Sequence, residues 1–319
     1  MKRINGLYEQ IISIENLELA DSKARKGKKN KKEIANFDQD RSNLLLKLHE
    51  QLKSLAYKTS EYHVFKIYEP KERIVYRLPY YPDRIAHHAL MNVLEPIFVQ
   101  CFTTNTYSCI KERGIHKGLQ DIKSALHDVQ ATQYCLKLDI TKFYPSVDHD
   151  VLKSLLRKKF KDVRLLILLD EIIDSCPGLP IGNYLSQFLA NFYLTGFDHW
   201  IKEQKKVEYY FRYADDIVIF APEKPYLHKL LSEIREYFEV KLKLKIKPNY
   251  QVFSVDIRGV DVLGYKFYHT YIRLRKSIKQ NFARKLKRNP SRQSIASYSG
   301  WLTHCNAKHL TKKLLHDHC

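Results

Sequence analysis

The segment YYFRYADDIVIF, at Tyr209–Phe220, places two adjacent carboxylates in the middle of a strongly apolar run. Aromatic and β-branched residues on both sides of Ala214 predict two buried strands joined by a tight turn. An unpaired buried carboxylate is costly, and neighbouring side chains of a strand point to opposite faces. Asp215 and Asp216 can therefore serve one site only from the turn, where a cation would balance their charge.

The short apolar segment QYCLKLDI at 133–140 predicts a neighbouring strand, which ends at a third carboxylate, Asp139. Hard divalent cations prefer oxygen ligands, and two of them can clamp the attacking and leaving oxygens of a phosphoryl transfer. Taken alone, the adjacent Asp215 and Asp216 favour an ordinary solvent-exposed turn over a metal site. The third carboxylate and the charge of the whole chain favour the metal site.

The 319-residue chain is strongly basic, with 55 Lys and Arg against 35 Asp and Glu and a formal net charge of +20. Nucleic acid is the leading partner because phosphate neutralisation supplies most non-specific affinity. A basic soluble surface and an anionic membrane are the alternatives, but we find no long apolar run and no signal-peptide pattern. We expect a cytoplasmic protein that binds nucleic acid and no membrane.

Helical and strand patterns are mixed without strict alternation, which favours an α+β fold with a largely antiparallel sheet. Asp83 is the expected N-cap of one helix, and the alternating segment KLKLKIK at 241–247 predicts a half-buried strand with a basic outer face. Helices are predicted over 4–20, 41–55, 83–98, 148–160, 164–175, 224–238 and 294–319, and within 178–204 a glycine-containing turn opens a long helix. The basic segment 23–32 is either a linker or an arm that contacts phosphate.

Four segments resemble, in order, motifs of reverse transcriptases. RYADDIVIF at 212–220 resembles the catalytic hairpin, and LKLDITKFYPSVDHDVL at 136–152 resembles the first palm motif. Residues 73–98 resemble the fingers motifs, and GVDVLGYKFY at 259–268 resembles the hairpin between palm and thumb. The resemblance implies a right-hand polymerase of fingers, palm and thumb, with an antiparallel palm sheet and a helical thumb.

The implied domains are an N-terminal helical extension over 1–62, fingers and palm over 63–269, and a basic helical thumb over 270–319. The basic loop 23–32 falls in the extension. We expect neither an RNase H nor an endonuclease domain, so a nick or an RNA primer would be supplied from elsewhere.

The segment LPIGNYLSQ at 179–187 is similar to a distinctive motif of reverse transcriptases from diversity-generating retroelements. Residues 248–265 and 297–310 also look like that family. Intron maturases and many other bacterial reverse transcriptases carry Gln-Gly where this chain has Ile181 and Gly182. The resemblance implies an RNA-directed DNA polymerase that makes error-prone, adenine-mutagenic cDNA from a template-repeat RNA for mutagenic retrohoming. It also implies a small basic accessory variability protein, as an oligomer, among the partners.

By this resemblance Asp139, Asp215 and Asp216 are the catalytic residues, and they bind two Mg²⁺ ions together with Ile140. Mn²⁺ is the alternative ion. The reaction would depend on positioning and on charge neutralisation while the primer 3′-hydroxyl attacks and pyrophosphate leaves.

The resemblance also implies a nucleotide-binding set. Tyr144 would exclude the ribose 2′-hydroxyl while Phe143 fills the core, and Ile181 cannot make the hydrogen bond that glutamine makes beside the templating base. Arg84 is either a further fingers residue or a structural partner of Asp83. The full nucleotide set is Arg73, Phe143, Tyr144, Ile181, Gly182 and Gln187.

Basic residues late in the chain would follow the backbone of a duplex between the template RNA and an RNA or DNA primer, with dNTPs as substrates. For the basic run 273–292 the alternative is a solvated helix face, and for Lys245 and Lys247 it is an edge strand that lysines keep soluble. The nucleic-acid-binding set is Lys245, Lys247, Arg273, Arg275, Lys276, Lys279, Arg284 and Lys285.

The same sequence fits two other functions. One is another bacterial reverse transcriptase, such as a retron, defence-associated or group II intron-like enzyme. The other is a non-catalytic RNA-binding protein on a polymerase scaffold. A separate cluster of His and Cys residues in 304–319 is either surface or a metal site, although its spacing matches no common zinc module.

Overall fold

The computed structural model describes residues 3–28, 31–68, 72–288, 291–310 and 312. The chain forms two compact units, each assembled from three stretches of sequence. The first unit comprises Met1–Thr104, Ile140–Trp200 and Glu236–Lys245. The second unit comprises Asn105–Asp139, Ile201–Arg235 and Ile246–Cys319.

The elements follow one another along the chain in a mixed order. They are α1 (Tyr8–Ile12), α2 (Ile14–Ala24), α3 (Lys32–Asp38), α4 (Arg41–Lys53), β1 (His63–Ile67), β2 (Arg73–Arg77), α5 (Ile85–Cys101), α6 (Ile115–Ala125), β3 (Tyr134–Asp139), α7 (His149–Lys159), α8 (Val163–Asp174), α9 (Tyr184–His199), β4 (Tyr210–Tyr213), β5 (Asp216–Ala221), α10 (Lys224–Leu242), β6 (Gln251–Ser254), α11 (Val255–Arg258), β7 (Val260–Val262), β8 (Tyr265–Phe267), β9 (Ile272–Leu274), α12 (Lys276–Arg288) and α13 (Arg292–Leu302).

The first unit is mainly helical, and α5 lies at its centre, packed on α2 and α9. The apolar residues of α5 recur at helical spacing and are fully buried, as at Leu90, Leu94 and Phe98. The only sheet assigned to this unit in the described part of the chain is the antiparallel pair β1–β2.

Two helix boundaries in the first unit differ from the prediction. The helix expected over 4–20 is interrupted at Ser13, which is extended and whose hydroxyl accepts a hydrogen bond from the Asn16 amide at 3.2 Å. Asp83 is not the N-cap of α5. It is fully buried just before that helix, where its Oδ1 accepts hydrogen bonds from the Tyr57 hydroxyl at 2.8 Å and the Ser60 amide at 3.0 Å.

The second unit is organised around an antiparallel sheet of four strands in the order β4–β5–β3–β6. A second antiparallel sheet has the order β7–β8–β9. Alternate residues of both sheets face one core that includes Cys135, Val218, Phe220, Val260 and Phe267. The expected α+β fold with antiparallel sheets is confirmed.

The strand predicted over 241–247 is wrong. α10 continues to Leu242, because this residue lies four positions after Phe238 and extends the same buried stripe by one turn. Lys243 then has a positive φ of 49°, which ends the helix. Helical spacing and strand alternation overlap in this segment, and the buried helix face prevails.

The C-terminal part contains the basic helix α12 and the helix α13, whose only basic residue is Arg292. The helix predicted over 294–319 corresponds to α13 as far as Leu302, and most positions after 310 lie outside the described residues. Of the expected His/Cys cluster, His316, His318 and Cys319 are also outside them. The ring of His304 lies 4.5 Å from that of His116, centroid to centroid. Within the described ranges, no helix is both long and apolar enough to cross a membrane.

Candidate active site

The three predicted carboxylates come from two strand ends of the four-stranded sheet. β3 ends at Asp139, which lies opposite Asp216, the first residue of β5. Tyr213 pairs with Asp216 across the β4–β5 hairpin, so Ala214 and Asp215 form its two-residue turn. The register thus brings Asp139, Asp215 and Asp216 to one edge of the sheet.

The turn of this hairpin has a constrained backbone. Ala214 has a φ of +54°, a region that usually favours glycine. Arg212 on β4 is completely buried, and its guanidinium donates a hydrogen bond to the Ala214 carbonyl at 3.1 Å. A conformation of this kind costs of the order of 1–3 kcal/mol and persists only where the surroundings hold it. Arg212 therefore braces the turn that carries Asp215.

Sequence reasoning missed Arg212. Its only signal was a charged side chain inside the apolar stretch YYFRY, at the strand position three residues before Asp215. A fully buried arginine needs several hydrogen-bond acceptors, and a strained turn offers its carbonyl groups as acceptors.

The carboxylates repel one another in a partly buried setting. Burial and the adjacent Asp139 carboxylate raise the pKa of Asp215 to about 6. Burial also raises the pKa of Asp216, while the Lys137 ammonium acts in the opposite direction. The site therefore has excess negative charge and gains from any added cation.

Two lysines supply part of the missing positive charge. The Lys247 ammonium lies 2.6 Å from Oδ2 of Asp139, and its backbone amide donates to the Asp139 carbonyl at 2.9 Å. Lys137, on β3, lies 3.5 Å from Oδ1 of Asp216 and also donates to the Asp261 carbonyl. The other oxygen of Asp139, Oδ1, is buried and has no hydrogen-bond partner among the described residues.

These carboxylate oxygens suit a hard divalent cation whose remaining coordination positions are filled by the substrate. Among the described residues, no three His, Cys, Asp or Glu side chains converge into a ready-made metal cage. Mg²⁺ is usually held by one or two carboxylates together with water and substrate phosphates, which is what Asp139 and Asp215 can offer. Ile140 follows Asp139 and is fully buried, and its hydrocarbon side chain offers no ligand atom, so only its backbone carbonyl could contribute.

The predicted nucleotide residues lie in the first unit. Phe143 is buried and belongs to the core, whereas Tyr144 is half-buried at the start of a short helical turn, Tyr144–Ser146. The Tyr144 carbonyl accepts a hydrogen bond from the Leu179 amide at 2.8 Å. Gly178, with a φ of +64°, packs so closely that a Cβ there would lie 2.6 Å from the same oxygen. The loop before α9 is therefore hydrogen-bonded to the backbone of Tyr144 and packed closely against it.

The same loop is also hydrogen-bonded to β2. The Ile181 carbonyl accepts a hydrogen bond from the Tyr76 amide at 2.9 Å. Gly182 has a φ of +119°, and a Cβ there would lie 3.0 Å from the Tyr76 carbonyl. A glycine at this position is needed for a close approach to β2, besides any approach to a nucleotide. Gln187 is half-buried in α9, and Arg73 is exposed at the first position of β2.

The predicted nucleic-acid residues divide into two groups. Lys247, which contacts Asp139, and Arg275, whose Nε lies 2.6 Å from Asp261, are engaged in ion pairs. Arg273 lies over the ring of Tyr271, 4.7 Å from its centroid. The remaining members of the set are exposed and are Lys245, Lys276, Lys279, Arg284 and Lys285.

Several known proteins are similar to this chain. Protein YkfC of Escherichia coli strain K12 is 25% identical, and the alignment covers 57% of this chain and 60% of that protein. Group II intron-encoded protein LtrA of Lactococcus lactis subsp. cremoris is 25% identical, and the alignment covers 40% of this chain and 23% of that protein. Retron Ec73 reverse transcriptase of E. coli is 26% identical, and the alignment covers 54% of this chain and 58% of that protein. The chain thus spans at most 60% of the length of these three relatives.

Among solved structures, apo telomerase from Candida tropicalis overlaps with a TM-score of 0.49 at 11% identity, covering 72% of this chain and 52% of that one. This overlap is too loose to add to the assignment. The family described as reverse transcriptase (RNA-dependent DNA polymerase) matches residues 69–267. This match includes all three carboxylates and extends over more than half of the chain. The chain therefore belongs to the reverse transcriptase family and has its right-hand polymerase fold.

Proposed function

We propose that this protein is an RNA-directed DNA polymerase that makes adenine-mutagenic cDNA from a template-repeat RNA, as part of a diversity-generating retroelement. The observation that carries the polymerase function is the meeting of Asp139 with the Asp215–Asp216 turn at one sheet edge. The unpartnered Oδ1 of Asp139 supports it, because a buried carboxylate oxygen without a donor is costly unless a cation approaches it.

Asp139 and Asp215 would hold two Mg²⁺ ions, with Asp216 and the Ile140 carbonyl contributing less directly; Mn²⁺ is the alternative. When bound, the ions supply charge neutralisation for the α-phosphate and for the departing pyrophosphate. The chain itself orients the carboxylates through the β3–β5 register and the braced turn. Lys247 keeps one oxygen of Asp139 engaged, so the carboxylate presents its other oxygen in a fixed direction.

Nucleotide selection is assigned to residues of the first unit. Tyr144, which is half-buried and has its backbone held by Leu179, would close over the sugar and exclude a ribose 2′-hydroxyl. Arg73, exposed on β2, would bind the triphosphate, since a guanidinium matches phosphate oxygens geometrically. Phe143 supports Tyr144 from the core, its ring centroid 5.6 Å from that of Tyr144.

The mutagenic specificity is assigned to the segment LPIGNYLSQ. Ile181 offers only hydrocarbon where a glutamine would donate and accept hydrogen bonds, so part of the geometric check on base pairing is lost. Gly182 holds the segment against β2, and Gln187 would brace it from α9. Errors opposite template adenines would follow from this looser check.

The exposed lysines and arginines of α12 would bind the backbone of the template–primer duplex. The template-repeat RNA, an RNA or DNA primer and dNTPs are the proposed ligands. A small basic accessory variability protein, as an oligomer, is the proposed protein partner.

Primer extension on an RNA template tests the polymerase function. Asp215→Asn removes one of the two central carboxylates, and we expect extension to be lost while RNA affinity changes little. Asp256→Asn is the matched control, since it removes an exposed carboxylate of the same unit, paired with His269, and should leave extension intact. Full extension by Asp215→Asn contradicts the assignment.

The error spectrum tests the retroelement class. A retron-type or intron-type enzyme is the competing class, favoured by the similarity to the Ec73 and LtrA proteins. We expect cDNA made by the wild-type chain to carry errors concentrated at template adenines. Ile181→Gln should reduce them, whereas Ile181→Val should not. Errors spread evenly over all template bases would favour the competing class.

A further inference from the structure

Lys137, one of the two lysines beside the carboxylates, contacts both the catalytic turn and the second sheet of its unit. It lies on β3, and its ammonium is 3.5 Å from Oδ1 of Asp216. That oxygen is buried and receives no hydrogen bond of good geometry from the described residues. The ammonium donates instead to the backbone carbonyl of Asp261 on β7. Lys137 therefore offsets the charge of Asp216 while its hydrogen bond goes to another residue.

Asp261 binds a second cation through its side chain. Its Oδ1 accepts a hydrogen bond from Nε of Arg275 at 2.6 Å, and both side chains are partly exposed. Arg275 directly precedes α12, whose charged residues are all basic, and its carbonyl accepts a hydrogen bond from the Lys279 amide at 3.1 Å. Asp261 thus binds Lys137 with its backbone and Arg275 with its carboxylate, and it connects the catalytic turn to the beginning of α12.

The elements that carry these three residues pack on one core. Val260 and Val262, on either side of Asp261, are buried together with Val218 of β5 and Phe282 of α12. Close packing of this kind holds the strands in place, whereas the long side chains of lysine and arginine rotate freely at a partly exposed position. An exchange of ionic partners around Asp261 therefore needs only side-chain rotation.

Both cations act on the same catalytic carboxylate. Burial raises the pKa of Asp216, and the charges of Lys137 and, more weakly, Arg275 oppose this increase. A change of partner by either side chain would consequently alter the charge that Asp216 presents to a metal ion.

We propose that Lys137, Asp261 and Arg275 form a relay that couples duplex binding at α12 to divalent-cation binding at the carboxylate turn. A backbone phosphate would take Arg275 from Asp261, because a guanidinium binds phosphate in a bidentate manner. The released Asp261 carboxylate would then attract the Lys137 ammonium away from Asp216. Lys137 and Asp261 are positioning residues in this scheme, and the scheme rests on the proposed metal site at Asp139 and Asp215.

Charge gives the coupling its sign. While the Lys137 ammonium is near Asp216, it repels an approaching cation, and its movement to Asp261 makes the turn more negative. The duplex should therefore strengthen cation binding, and the cation must strengthen duplex binding by the same factor, since coupling between two sites is reciprocal. An empty α12 would keep the turn less attractive to metal.

Fluorescence anisotropy with a labelled template–primer duplex measures this coupling. The duplex is titrated with the full chain in EDTA and in Mg²⁺ at matched ionic strength, without dNTPs, so that no extension takes place. Asp215→Asn removes a central carboxylate and gives the effect of Mg²⁺ on the duplex alone. We expect the ratio of the Kd in EDTA to the Kd in Mg²⁺ to be roughly 5-fold larger for the wild type than for Asp215→Asn, at the low end of allosteric couplings because the ion pairs are partly exposed.

Asp261→Asn is the principal variant, and Asp256→Asn, which removes an exposed carboxylate of the same unit paired with His269, is its matched control. Asp261→Asn cannot attract Lys137, so its Kd ratio should fall to that of Asp215→Asn. Its Kd in EDTA should be equal to or lower than that of the wild type, because Arg275 has lost a competitor of the phosphate. Asp256→Asn should keep the wild-type ratio. A purely structural role of Asp261 would instead raise the Kd in both conditions, and that result would overturn the relay.

Lys137→Met tests the other end of the relay. Without duplex, the Mg²⁺ concentration that gives half of the increase in melting temperature should be lower than in the wild type, because the competing ammonium is gone. A higher concentration would overturn the relay, and so would a wild-type Kd ratio in Asp261→Asn. A wild-type ratio no larger than that of Asp215→Asn would also overturn it but leave the polymerase site standing, provided that Asp215→Asn has lost primer extension. Retained extension by Asp215→Asn would contradict the metal site itself.

Discussion

Gly178→Ala should displace Tyr144 and can be analysed from the geometry of the loop before α9. Gly178 has a φ of +64°, and an added Cβ would lie 2.6 Å from the Tyr144 carbonyl oxygen and 2.7 Å from two backbone atoms of Pro145. These contacts are with backbone, so no side-chain rotation relieves them. The loop or the turn at Tyr144–Ser146 has to move.

The magnitude has two parts. A left-handed conformation costs a non-glycine residue roughly 1–2 kcal/mol, and overpacking adds typically about 1–3 kcal/mol. Gly6→Ala isolates the first part, because Gly6 has a φ of +72° and nothing within 4 Å of its Cβ position. We therefore expect Gly178→Ala to lower the free energy of unfolding by about 1–3 kcal/mol more than Gly6→Ala does.

The assay combines stability with sugar selection. Urea unfolding of both variants gives the difference in stability, and single-nucleotide incorporation of dNTP and rNTP gives the discrimination. Because the Leu179 amide holds the Tyr144 carbonyl at 2.8 Å, moving the loop should raise the KM for dNTP and weaken the exclusion of rNTP. Equal stability of the two variants together with unchanged discrimination would refute the coupling between Gly178 and Tyr144.

Two further predictions concern the carboxylate turn. Asp215 has a pKa raised to about 6, so its ionised form costs stability above that pH, and the cost is relieved as the pH falls through 6 toward the unfolded value. In metal-free protein Asp215→Asn should therefore be more stable than the wild type at pH 8, by about 1–2 kcal/mol after solvent screening, and the gain should shrink as the pH falls below 6 and disappear only near the unfolded pKa of about 4, as thermal melting can show. Arg212→Lys keeps the charge but cannot brace the Ala214 carbonyl in the same way, and it should reduce primer extension far more than RNA affinity; extension at the wild-type rate would contradict the bracing role.

The meeting of the three carboxylates was predictable because short stretches of sequence around each of them indicate a strand end or a turn. Strand alternation and the adjacency of Asp215 and Asp216 require a turn, and the strand that ends at Asp139 supplies the third group. The counter-charges were not predictable. Lys247 follows Asp139 by 108 positions, and only the pairing of β3 with β6 brings the chain after α10 to that edge.

The two wrong predictions of secondary structure, at 241–247 and at Asp83, concern residues that fit more than one local pattern. The segment 241–247 fits both strand alternation and the last turn of a helix, and the long-range burial of Leu242 decides between them. Asp83 is a favourable N-cap residue by type, but the buried hydroxyl of Tyr57 provides it with a stronger partner. Neither outcome is encoded within a few residues of the site.

The two oxygens of Asp139 explain how a site with three carboxylates can fold before any ion binds. Oδ2 is satisfied by the Lys247 ammonium at 2.6 Å, and Asp216 lies 3.5 Å from the Lys137 ammonium, so the protein carries part of its own counter-charge. Oδ1 of Asp139 remains buried and without a partner in the described part of the chain, and Asp215 retains a raised pKa. The lysines therefore reduce the repulsion between the carboxylates without making the site neutral, and we expect the remaining negative charge to attract a divalent cation to the turn. Replacing Lys137 or Lys247 by Met should accordingly lower stability in EDTA more than in Mg²⁺, and equal losses in both conditions would show that the lysines only pack.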